Sequence, residues 1–158
     1  MSSRTKRPAH DAIPCDSAKV HPALREYFGY CFFKAALRLR LAIIEAIEKY
    51  GLELPPQLGI LVILRSSELL NQVSLGEQLG VDKATMVRLI DGLEKLKLVE
   101  RIADKGDRRS KLIRITPKGR QLSLDAQASA RKAETAFLAR LDPHERQVLM
   151  SAVPKLLQ

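Results

Sequence analysis

Apolar residues recur at helical spacing from residue 22 to about 50, at Leu24, Phe28, Phe32, Leu37, Leu41, Ile44 and Ile47. Further apolar side chains fill much of the remaining circumference. A helix so apolar needs cover on more than one side, which a second subunit supplies more readily than one small domain. Pro22 suits its first turn and Gly51 its end. Pro55-Pro56 opens a second helix, Gln57 to about Leu70, through Leu58, Leu61, Val62 and Leu64. Short helices follow from Ser74 to Gly80 and from Asp82 to about Lys97. Val99 to Ile102 and Leu112 to Ile115 have strand character. Thr116-Pro117 then caps a long helix through Leu122, Ala126, Ala130, Ala133 and Phe137 to about Leu141. Asp142-Pro143-His144-Glu145 starts a last helix, which Pro154 bends or ends early. Residues 1–20 lack periodicity and hold Pro8 and Pro14, the pattern of a flexible arm.

The segment from 74 to 119 says most about chemistry. Ser74 and Glu77 have capping-box spacing ahead of Leu75 and Leu79. Gly80 stops that helix and Asp82 is placed to cap the next. Two helices joined by so short a turn form a helix-turn-helix, whose second helix fits a DNA major groove. The hairpin behind it carries Arg108 and Arg109 at its tip, which makes a wing. The expected fold class is therefore mainly α with a small, two-stranded β-wing. A winged helix-turn-helix core at about 54–118 is flanked by long N- and C-terminal dimerisation helices, about 22–50 and 117–157. Residues 21–158 form one domain behind a basic arm, 1–20.

Charge sharpens this picture. The 158 residues hold 27 Lys and Arg against 18 Asp and Glu, a net charge of +9 and a pI near 9.8. Residues 74–118 alone hold eleven Lys or Arg against seven Asp or Glu, and Arg4, Lys6 and Arg7 lie in an acid-free start. The surplus thus gathers on the motif and the arm and favours a polyanion such as double-stranded DNA. No apolar run approaches the roughly 18 residues that span a bilayer, so no membrane partner is expected. The basic N-terminus lacks a hydrophobic signal core, and two cysteines, Cys15 and Cys31, make no disulfide framework; a cytoplasmic location is expected. His10, His21 and His144 are scattered, with no metal-ligand cluster and no glycine-rich phosphate loop. Enzyme function and a cofactor are not expected.

Taken together, PPQLGILVIL and SLGEQLGVDKATMVRLIDGLEKLKLVERIADKGDRRSKLIRITPKG resemble the MarR family of bacterial transcriptional regulators. The elements that match are Leu98-Val99-Glu100-Arg101, Asp107-Arg108-Arg109 and Ile115-Thr116-Pro117-Lys118-Gly119, within a similarity running from about Leu24 to Leu157. The arm is longer than the family minimum and Pro154 interrupts the last helix. The resemblance implies a homodimeric regulator reading a pseudo-palindromic operator, most often a repressor released by a small aromatic ligand.

Lys83, Ala84, Thr85 and Arg88 occupy the first two turns of the expected reading helix. Thr85 and Arg88 are placed to reach base edges, with Lys83 beside them. Val87, Leu89, Ile90 and Leu93 are expected inside, and Met86 fits either side. A guanidinium on a narrow loop suits the minor groove. The resemblance gives that place to one arginine of Asp-Arg-Arg, here Arg109, with Arg108 on phosphate or loop support and Asp107 holding the loop. Lys105 and Lys111 suit phosphates, and Ser74 a contact at its helix start. The competing view, ordinary solvated charge, describes most helix-surface lysines and arginines. A non-specific architectural DNA binder would use the same residues.

Cys31 lies near where the peroxide-sensing branch of the family keeps a reactive cysteine, so it is the candidate for a redox switch. As a small hydrophobe between Tyr30 and Phe32 it is more ordinarily buried and inert. A ligand pocket has Arg25, Tyr27, Phe28, Tyr30, Phe32 and Arg65 as possible lining, although such aromatic spacing more often means core. The effector itself is not legible.

Overall fold

The computed structural model describes residues 20–67, 69–103 and 111–157. The chain divides into two compact units, Met1–Arg40 and Leu41–Gln158. In chain order the described elements are a 3-10 turn (Pro22–Leu24), α1 (Phe28–Glu48), α2 (Pro55–Ser67), β1 (Leu69–Asn71), α3 (Gln72–Leu79), α4 (Lys83–Lys95), β2 (Val99–Ala103), β3 (Lys111–Ile115), α5 (Pro117–Leu138), α6 (Pro143–Ala152) and a closing 3-10 turn (Val153–Leu157). This is the mainly helical class with a small sheet expected from the sequence. The expected helix 22–50 is broken: Pro22 starts a 3-10 turn, and α1 begins only at Phe28.

The second unit is built on one buried cluster. Ile47 meets Leu58, Ile60, Leu61 and Leu64 from α2, Leu75 from α3, and Met86, Leu89, Ile90 and Leu93 from α4. Leu98 and Val99, Ile113 and Ile115 join from the strands, and Ala126 and Ala130 from α5. Small alanines on α5 let that helix lie close to the rest of the core.

The sheet departs from expectation. It has three antiparallel strands in the order β1-β3-β2, with β3 in the centre. Leu69 pairs with Arg114 and Asn71 with Leu112 on one side; Val99 pairs with Ile115 and Ala103 with Lys111 on the other. The helix expected to reach Leu70 therefore stops at Ser67. Leu69-Leu70 is a short apolar run, which helix and strand accommodate equally until a partner strand decides.

The start of α3 also needs correction. Ser74 is not its cap. The helix begins at Gln72, and Asn71 Oδ1 accepts a hydrogen bond from Ser74 N at 2.8 Å. Asn caps as well as Ser does, and Asn71 leaves β1 already extended, so the earlier residue wins. Gly80 then ends α3 in the left-handed region, φ 61°, and Val81 N closes back on Gly76 O at 2.9 Å. Only glycine takes that backbone without strain, which keeps the turn to α4 three residues long.

Three segments meet where α4 ends. Lys97 N donates to Glu94 O and Leu98 N to Leu93 O, a paired closure with Lys97 left-handed at φ 60°. The carbonyls beyond are then taken by the start of α5. Lys118 Nζ donates to Leu96 O at 2.9 Å, the Thr116 hydroxyl to Lys97 O at 2.8 Å, and Thr116 N to Leu98 O at 3.0 Å. The same hydroxyl caps α5 by accepting from Gly119 N. A Cβ on Gly119 would stand 2.1 Å from Leu98 O, so glycine is required by contact. At the far end, Asp142 and Glu145 complete the expected capping box. After Ala152 the α-helix gives way to the 3-10 turn holding Pro154, as expected.

Two stability changes follow. Gly119→Ala should cost about 3 kcal/mol by forcing backbone apart, visible as a lower urea midpoint. Lys97→Gly should add about 1 kcal/mol by removing the left-handed penalty. A wild-type midpoint in either variant would contradict this account of the junction.

Candidate nucleic-acid interface

Asp82 sets the start of the reading helix. Its Oδ1 accepts from Thr85 N at 2.9 Å, as the sequence led one to expect. Met86, Leu89, Ile90 and Leu93 form the buried line of α4, the spacing of one helical face. Met86, which suited either side, is wholly inside. Val87 is only half-buried, a correction to its expected core place, because it lies about 100° around the helix from Met86. The other face carries Lys83, Ala84 and Arg88 exposed, with Thr85 half-buried beside them.

These side chains are not independent. Arg88 Nη2 donates to Thr85 Oγ1 at 3.1 Å. Hydrogen bonds from the Thr85 side chain and then its backbone N–H, aided by the Ala84 N–H and the charge of Arg88, hold the Asp82 carboxyl below its ordinary value. Sequence reasoning chose Thr85 and Arg88 singly; the structure joins them to Asp82.

Lys83 and Lys111, expected on phosphates, line one cleft of about 680 Å³ with Asn71, Val73, Glu77 and Met86. Ser74 is half-buried in the first turn of α3, and Asn71 already occupies its backbone N–H. Lys105, Asp107, Arg108 and Arg109, along with Cys15 and the arm at 1–19, lie outside the described residues.

A tether absent from the expectations ties the wing to α4. Arg101 on β2 bonds Asp91 Oδ1 at 2.7 Å and Glu94 Oε2 through its two terminal nitrogens, while Arg101 N donates to Glu94 Oε1 at 3.3 Å. The Leu-Val-x-Arg element held this arginine in view, but its partners lie on another element and no spacing rule names them. Arg65, a candidate pocket residue, donates instead to Ser123 Oγ at 3.0 Å and Gln127 Oε1 at 2.8 Å, fastening α2 to α5.

Cys31 is half-buried rather than fully enclosed, and its thiol donates to Arg25 O at 3.4 Å and Leu24 O at 3.7 Å. Tyr27 and Phe28 are mostly exposed, with Phe28 stacked on Phe32 at 5.6 Å. No helix among the described residues is long and apolar enough to cross a membrane.

The MarR family matches residues 55–111 of this chain. A probable transcriptional regulator from Pseudomonas aeruginosa is 29% identical with a TM-score of 0.76, covering 84% of this chain and 98% of that one. The transcriptional repressor CouR, solved on a 23-mer DNA duplex, is 26% identical at a TM-score of 0.79, covering 89% and 99%. Bordetella bronchiseptica BpsR, whose DNA binding is regulated by 6-hydroxynicotinic acid, is 25% identical at 0.73, covering 82% and 98%.

The lowered Asp82 value fixes a pH dependence. A depressed folded-state value contributes stability that is complete above the unfolded value, roughly pH 4, and is lost as pH falls through the folded one. Asp82→Asn keeps a capping oxygen without titrating. The stability difference between wild type and this variant should be flat from neutral pH to about 4 and shrink only below it. A difference that changes between pH 6 and 8 in urea titrations would refute the assignment.

Proposed function

We propose that this chain, whose residues 55–111 match the MarR family of transcriptional regulators, is a homodimeric, sequence-specific repressor of double-stranded DNA that a small ligand releases. The carrying observation is the exposed Thr85–Arg88 pair on the first two turns of a firmly capped α4, with the wing fastened to the same helix by Arg101. A helix enters the major groove by that end. Arg88 has the donors for guanine O6 and N7, and Lys83 and Lys111 supply phosphate contacts from their shared cleft.

In this reading Arg109 enters the minor groove, Arg108 and Lys105 meet phosphate or steady the loop, and Asp107 holds it. Ser74 contributes through its hydroxyl, since its backbone N–H is taken. No step needs catalysis or a cofactor.

Bare apolar side chains support dimerisation. On α1 and just before it, Leu24, Tyr27, Phe28, Phe32, Phe33 and Leu41 are exposed; toward the C-terminus, so are Val148, Leu149, Met150, Leu156 and Leu157. A monomer rarely leaves so much apolar surface in water. A symmetric pair of reading heads fits a pseudo-palindromic operator. Release by a ligand is supported by the likeness to BpsR. A ligand acts this way only if it binds the DNA-free arrangement more tightly.

The test is a gel-shift titration on operator-like and random duplexes across salt concentrations. Wild type should prefer its operator by about a thousandfold. Arg88→Ala should reduce that preference by roughly tenfold or more, and Arg109→Ala should weaken operator binding while the dimer persists in sedimentation. Equal affinity for both duplexes would leave only a non-specific DNA binder.

A further inference from the structure

The outermost side chain on the first turn of α4 is an alanine. At about 100° per residue, Met86, Leu89, Ile90 and Leu93 fix the inward side of the helix, and Ala84 points roughly 170° away from the middle of that line. Two polar side chains share the outward side beyond it, and both are turned off it. Arg88, one turn on, donates through Nη2 to Thr85 Oγ1 at 3.1 Å, which draws its guanidinium to the flank of Thr85. Asp91, two turns on, accepts from Arg101 Nη2 at 2.7 Å, which draws its carboxylate to the opposite flank, toward β2. The Ala84 methyl is left exposed at the end of the helix that enters a major groove.

A methyl has no hydrogen bond to offer. Pressed on a polar base edge, it strips an acceptor or an amine of its water and gives nothing back. One group in the major groove matches it, the C5 methyl of thymine. Resting on the DNA-reading function proposed above, we propose that Ala84 is a specificity-determining residue that selects a thymine methyl in each half-site. That thymine lies within about two base pairs of the guanine taken by Arg88, since four residues of helix rise about 6 Å and one base step about 3.4 Å. A·T pairs carry the methyl and G·C pairs do not.

The test uses the full-length protein and the operator it selects from a randomised duplex pool. The guanine is located as the base whose preference Arg88→Ala erases. Replacing each thymine in turn by deoxyuridine deletes the methyl and keeps every hydrogen-bonding group. In wild type, one such exchange per half-site, within about two base pairs of that guanine, should weaken binding about fourfold, the worth of one buried methyl group. Cytosine at the same position should bind worse still, and 5-methylcytosine should recover about fourfold. Ala84→Gly removes the protein's methyl. Comparing thymine with deoxyuridine inside that variant cancels any loss of helix stability, and the two should bind within about 1.5-fold of each other.

Equal binding of thymine and deoxyuridine throughout the wild-type operator overturns the proposal, as does 5-methylcytosine that recovers nothing, a measurement that needs no variant. A fourfold loss that persists in Ala84→Gly hands the methyl to another side chain and overturns it too. These outcomes leave DNA reading intact. No sequence preference in wild type, or no guanine that responds to Arg88→Ala, overturns the function beneath the proposal instead.

Discussion

α4 closes on its own last carbonyls, but those just beyond it, at Leu96, Lys97 and Leu98, would be left without partners if the chain simply turned away. Here the start of α5 supplies them: Lys118 Nζ to Leu96 O, the Thr116 hydroxyl to Lys97 O and Thr116 N to Leu98 O. The approach is close enough that residue 119 has no room for a side chain against Leu98 O. Each such bond is worth about 1 kcal/mol net, so the three together are a sizeable part of a total stability near 5–15 kcal/mol. Because β3 runs directly into Thr116, the same contacts fix the strand at the base of the wing. The reading helix, the wing and the long α5 thereby share one fixed point.

A second attachment sets the wing's direction. Arg101 reaches from β2 to Asp91 and Glu94, and its side chain is 23% exposed. Arg114 and Glu100 also pair, at 2.8 Å, but across one face of the sheet with about half of each side chain in water. Exposed pairs of that kind contribute little. The distinction matters because only the first joins a helix to the sheet. It couples the second half of α4 to the strand leading to the wing tip, whereas the Arg114 pair only reinforces strands already hydrogen-bonded.

Much of this was legible because local chemistry matched the global fold. Asp82 and Thr116 cap where their side chains and the following apolar periodicity say they should, and Gly80 stands at a left-handed turn. The failures are of another kind. Leu69-Leu70 is a strand only because Ile113 and Arg114 lie alongside, a pairing more than forty residues away in the chain. Ser74 lost its expected capping role to Asn71 because the strand ahead of it brought a better-placed oxygen. Arg101, Arg65 and Lys97 carry structural duties that depend on partners from other elements, so no spacing along the sequence could reveal them. For the site, the sequence identified Thr85 and Arg88 as individual candidates. Their connection through Asp82 required three side chains on one turn to be seen together.

That connection bears on how specificity arises in so basic a chain. A surplus of nine positive charges draws in any duplex, and each phosphate contact adds affinity without regard to sequence. In the proposed DNA-binding role, Lys83 and Lys111 belong to that kind: long, exposed side chains whose charge matters more than their direction. Arg88 is different in being hydrogen-bonded within the protein, to the hydroxyl oxygen of Thr85, whose backbone N–H caps on Asp82. Direction, unlike charge, distinguishes a guanine from its neighbour. On the proposed function, discrimination therefore rests on the few side chains whose geometry is fixed before contact, and on the junction that joins α4 to β3 and α5. Added lysines would strengthen binding everywhere and improve selection nowhere.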